Sequence, residues 1–159
     1  MSYSSKWLRF RQAAEELFDS RSALQQDKET LVQDLKQALV SLNDRQTALE
    51  LLVYLHPDVT VLLPLLHGVL DTAIDSGNYT AIELAQEILA KYQAEPLLRS
   101  NIPPIVTKYL ADQDDWHYRR IAELYLLLNY QEELTSFLLL CQASSNVEIQ
   151  EIWNDFTRS

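Results

Sequence analysis

Two glycines in 159 residues, Gly68 and Gly77, leave the chain nearly without the residue that hairpin turns, bulges and phosphate-cradling loops require. That scarcity argues against all-β folds, dinucleotide-binding βαβ units and P-loops together. No serine stands in a glycine-flanked nucleophile elbow, which removes the α/β-hydrolase arrangement. Cysteine is almost absent too. Cys141 alone permits neither an internal disulfide nor a cysteine-rich zinc site, so packing must supply the stability. Phe137, Leu138, Leu139 and Leu140 beside it predict a buried, inert thiol.

Long apolar runs are missing. The longest, residues 59–70, is broken by Thr60, Pro64, His67 and Gly68 and falls short of the roughly 18 residues a membrane span needs. Residues 1–7 lack the apolar stretch of a secretory signal, and Ser2 in place of glycine excludes N-myristoylation, so a cytoplasmic protein is expected. Cations are scarce: 13 Lys and Arg face 23 Asp and Glu, a net charge of -10 that repels phosphate backbones and anionic headgroups. Nucleic acid and membranes are therefore not expected as partners. Residues 1–42 are neutral, with six charges of each sign, while residues 46–90 contain no Lys or Arg at all. Glu50, Asp58, Asp71, Asp75, Glu83 and Glu87 stand in that stretch. A one-sign surface of this extent steers a basic protein partner or serves solubility.

What is present is helical periodicity. The length suits a single domain over 1–159, and apolar residues recur at 3.6-residue spacing almost throughout. Trp7, Phe10, Ala14, Leu17 and Phe18 mark an amphipathic first helix over 5–20, and Leu31, Leu35, Ala38, Leu39 and Leu42 a second behind an Asp27 cap. Asn43-Asp44 opens a third with Ala48, Leu51, Leu52 and Leu55 inside, ended by His56-Pro57. Asp58 opens a fourth in which Pro64 makes either a kink or a late start. Gly77 is expected in the left-handed conformation, followed by a helix capped by Asn78 that buries Ile82, Ala85, Ile88, Leu89 and Tyr92. Pro103-Pro104 should interrupt the segment opened by Glu95-Pro96. Asp114-Asp115 opens a helix ending at Asn129, the next buries Leu134, Phe137, Leu138 and Cys141, and Ser145 with Glu148 reads as a capping box for the last.

Three stretches repeat: Thr47-Ala48-Leu49-Glu50-Leu51-Leu52, Thr80-Ala81-Ile82-Glu83-Leu84-Ala85 and Arg120-Ile121-Ala122-Glu123-Leu124-Tyr125. Each opens the first helix of a helix pair, and two-helix units at this period read as an α-solenoid. The repeated glutamates fit helix propensity better than catalysis. With the proline inside the fourth helix and Asp114-Asp115-Trp116-His117-Tyr118-Arg119-Arg120 opening another, the chain resembles HEAT-like repeat proteins over about 43–156. The resemblance implies a right-handed α-solenoid of about three helix pairs (43–144), an N-terminal capping pair (1–42) and a C-terminal capping helix (145–159).

His67, Asp71 and Asp75 lie at i, i+4 and i+8 on one helix face. That face suits a divalent metal in principle, yet it is also the polar side opposite Leu62, Leu66, Val69 and Ala73, and no metal or cofactor is expected. His56 and His117 fall outside a two-histidine zinc spacing and read as turn or surface residues. The expected function is a non-enzymatic protein-binding module or inhibitor for a basic protein partner, with His67, Asp71, Asp75 and Glu132 as contacts and Trp116 as an aromatic anchor. It is similar in type to small acidic helical bacterial immunity proteins that neutralise basic nuclease toxins. The HEAT-like resemblance also allows enzymes: a DNA glycosylase, which the acidic repeats contradict, or a bilin lyase, which would need a pocket for a bulky ligand.

Overall fold

The computed structural model describes residues 1–158, and every regular element among them is helical. In chain order these are α1 (Ser5–Gln25), α2 (Lys28–Val40), α3 (Arg45–Leu55), α4 (Val59–Leu62), a 3-10 turn (Leu63–Leu65), α5 (Leu66–Asp75), α6 (Tyr79–Lys91), α7 (Pro96–Val106), a second 3-10 turn (Thr107–Tyr109), α8 (Asp115–Leu127), α9 (Gln131–Gln142) and α10 (Val147–Thr157). Four of the expected caps act where a short polar side chain precedes an apolar stripe, but Asn43-Asp44 does not cap α3: Asp44 makes no cap hydrogen bond and accepts the Ser41 hydroxyl instead. Asp27 accepts from the Glu29 and Thr30 amides, Asp58 from Thr60, Asn78 from Ala81 and Asp114 from Trp116. His56 and Asn129 take left-handed φ values of 41° and 58° and stop α3 and α8.

α2 packs on α3 and α5, α3 on α6, α6 on α5 and α8, α8 on α9, and α10 against both α8 and α9. The repeated hexapeptides lie in register within this core. Ala48, Leu49 and Leu52, then Ala81, Ile82 and Ala85, then Ile121, Ala122 and Tyr125 are all buried. Glu50 and Glu83 point outward, and Glu123 is partly covered. Side-chain bonds between elements also recur at one spacing. The buried Tyr92 donates its hydroxyl to the Pro57 carbonyl, and Tyr130, 38 positions on, donates to the Gln93 carbonyl at 2.9 Å.

Several expectations need correction. α1 extends to Gln25, and its stripe of Trp7, Phe10, Ala14, Leu17 and Phe18 is exposed because no other element reaches over it. Leu42 is exposed beyond the end of α2, and Leu51 is only half-buried because the stripe of α3 turns Leu49 inward instead. No glycine has positive φ; Ser76 is extended, and its hydroxyl accepts the Asn78 amide, which makes the turn that Gly77 was expected to make. α7 runs unbroken through Pro103 and Pro104, since Leu98, Ile102 and Val106 hold one buried stripe across them, and it tightens into 3-10 only afterwards. Asn146, not Ser145, caps α10. Pro64 lies in the 3-10 turn between α4 and α5, a local tightening and neither a clean kink nor a late start.

Candidate functional site

The polar face of α5 runs along its packing against the second 3-10 turn and α8. Asp71 accepts the Tyr109 hydroxyl at 2.5 Å, with Lys108 Nζ 3.4 Å from the same oxygen. One turn on, His117 Nε2–H donates to Asp75 Oδ1 at 2.5 Å, and the His117 ring meets the edge of Tyr109 at 5.5 Å. Nδ1 of His117 is buried without a partner among the described residues. Burial first, and the Asp71 bond second, push the Tyr109 phenol far above its ordinary value, so it remains a donor. The predicted pair Asp71 and Asp75 thus ties α5 to the α7–α8 corner, Asp71 half-buried against Tyr109 and Asp75 still exposed beside His117. No group of His, Cys, Asp and Glu among the described residues forms a metal cage.

The other predicted contacts lie apart from that seam. His67 is exposed, beside a cleft of about 470 Å³ between α2 and α5 whose floor includes Leu39, Leu65 and Gly68. Glu132 stands at the rim of an open groove of about 410 Å³ between α7 and α9, lined by Val106, Tyr125, Phe137 and Leu140. Glu133, which also lines the groove, is held by Arg99, which binds both its oxygens at 2.8 Å and lies over the Tyr130 ring. The guanidinium holds the Glu133 carboxyl below the usual carboxylate range. Trp116 is 43% exposed, and Arg120 lies over its ring at 4.3 Å and over Tyr79 at 5.7 Å.

A second surface was not among the sequence-level contacts. The outward positions of the repeated hexapeptide place Glu50 on α3, Glu83 on α6 and Glu123 on α8, three helices packed in succession. Glu50 has only the Gln46 amide, Glu83 has no hydrogen-bond or ion-pair partner among the described residues, and Glu123 has Arg120 at 3.9 Å. Glu87 pairs with Lys91 one turn beyond Glu83. The signal was legible in the repeat, since a residue repeated at an outward position shares a surface with its copies. The chain matches no protein-family model, no curated protein and no solved structure. Geometry and charge therefore carry the functional argument.

Proposed function

We propose that the chain is a non-enzymatic protein-interaction module, a short HEAT-like α-solenoid whose acidic face receives a basic protein. The observation that carries the reading is the row of Glu50, Glu83 and Glu123 on successive helices, the first two within a stretch of 45 positions (46–90) that holds no Lys or Arg. The repeat reading draws support from Tyr92 and Tyr130, which make the same bond one unit apart. Tyr79, four positions before Glu83, and Trp116, seven before Glu123, are partly exposed beneath Arg120, and aromatic residues of this type anchor interfaces. Asp75 adds a carboxylate that is more than half exposed despite its bond to His117. A bacterial immunity protein that blocks a basic toxin is the concrete form of this proposal, acting in the cytoplasm by covering its target.

The test is affinity capture of the partner, then association kinetics at two salt concentrations with Glu50→Gln, Glu83→Gln and Glu87→Gln combined. Steering acts on association, so the triple variant should bind more slowly, with a flatter salt dependence and little change in dissociation. An acidic partner, or association that ignores both salt and the three substitutions, rejects the reading. A second reading, a lyase for a bulky pigment, rests on the α7–α9 groove, whose volume falls in the range of ligand sites. Added bilin that fails to co-elute with the protein on gel filtration dismisses it.

A further inference from the structure

α1 carries an apolar stripe that the protomer does not use. Tyr3, Trp7, Phe10, Ala14, Leu17, Arg21 and Leu24 follow alternating steps of four and three, the 3.5-residue period by which one helix lies along another. Only its far end is occupied internally: Leu24 packs against the core, and Arg21 lies 3.8 Å above the Tyr54 ring. From Trp7 to Phe18 the stripe has no covering element, and Trp7, Phe10 and Phe18 remain 47%, 63% and 63% exposed. Tyr3, Trp7 and Phe10 stack on one another, with centroids 6.0 and 5.7 Å apart, but on nothing in the core. None of the helix's residues is buried, and a helix without tertiary packing is marginal in water.

Charge selects the occupant. The first half of α1 holds Lys6, Arg9 and Arg11, and the second half holds Glu15, Glu16 and Asp19 with one cation, Arg21, which is engaged over Tyr54. Two copies laid antiparallel, crossing at Ala13 and Ala14, set each basic half against an acidic half, twice. A parallel pair would set like against like. The intrahelical Arg11–Glu15 contact, at 3.8 Å and open to solvent, leaves both groups free to do this. Large side chains carry on the order of 150–250 Å² each, so four of them half-covered bring two protomers to about 1,000 Å² with the charged stems, where a specific interface begins.

We propose that α1 is a homodimerisation helix that pairs antiparallel with α1 of a second copy through Trp7, Phe10, Ala14, Leu17 and Phe18. The surface is distinct from the acidic row and does not depend on it. Sedimentation equilibrium of the full chain should give a dimer with a dissociation constant on the order of 1 μM, weakened by added salt. Combining Phe10→Ser with Phe18→Ser should yield a monomer that keeps the helical circular dichroism of α2 to α10 and loses at most the share of α1, since neither ring packs on the core. Combining Arg9→Gln with Arg11→Gln should weaken the dimer about tenfold in an antiparallel pair and strengthen it in a parallel one. A variant carrying Arg9→Glu and Arg11→Glu and another carrying Glu15→Lys and Glu16→Lys should each be monomeric alone and dimerise when mixed. A monomer at about 100 μM, a dimer indifferent to the phenylalanine changes, or a monomer that instead binds vesicles of phosphatidylglycerol and phosphatidylcholine overturns the proposal.

Discussion

An aspartate on a polar helix face is ordinarily replaceable, but Asp71 accepts the hydroxyl of a tyrosine that is almost wholly buried. Removing the acceptor strands a desolvated donor, so Asp71→Ala should cost about 1–3 kcal/mol and Tyr109→Phe about 0.5–1.5 kcal/mol. The double variant should cost less than the sum, and strictly additive urea-denaturation values would show that the bond contributes nothing. Cys141 gives a second prediction at this scale. Burial pushes its thiol from 9.0 up to about 11 by disfavouring the thiolate, so the fold carries no penalty from this group while the thiol is neutral. Stability from this group is complete below the unfolded value and is lost as pH rises through about 11. Between pH 9 and 11 Cys141→Ala should therefore lose less stability than the parent, and the native thiol should resist alkylating reagents; prompt labelling at neutral pH would place it at the surface.

Helix contacts make the two glycines opposites. A Cβ at Gly68 would stand 2.9 Å from the Leu39 Cβ, so this glycine is what lets α2 approach α5, whereas a Cβ at Gly77 meets nothing within 4 Å. Gly68→Ala should cost about 1–3 kcal/mol by overpacking even though alanine is the better helix former. Gly77→Ala should be neutral or gain about 0.4–1 kcal/mol, because its φ is not positive. Equal melting shifts in the two variants would contradict the packing. The same contrast explains what the sequence could reveal. α8 was legible because cap, stripe and terminator agree, and α6 because its Asn78 cap and its stripe do. α1 was legible as a helix, but periodicity reports that a stripe exists and not what covers it. α7 misled because a residue before proline disfavours the helix without forbidding it, and three buried aliphatic side chains outweigh that preference here. Asp71 and Asp75 were legible as one face; their partners, Tyr109 and His117, come from elements 38 and 42 positions away and leave no local trace.

Those separations bear on the whole molecule. Side-chain bonds between distant elements span from 31 to 42 positions: Ser144 with Gln113, Arg99 with Glu133, Tyr92 with Pro57, Arg119 with Asp155, His117 with Asp75. None of these bonds joins α2 or α3 to α9 or α10. A stack coupled only through neighbours transmits a local loss weakly, while a bundle around one shared centre loses stability everywhere at once. Ile152 is fully buried in α10, which packs on α8 and α9, and Ile152→Ala should cost about 2–5 kcal/mol there. In native-state hydrogen exchange the amides of α8, α9 and α10 should lose protection by that amount, while those of α2 and α3 keep most of theirs. Uniform loss across all helices would mean that the chain unfolds as one bundle, and the stacked-unit reading on which the acidic row depends would fall with it.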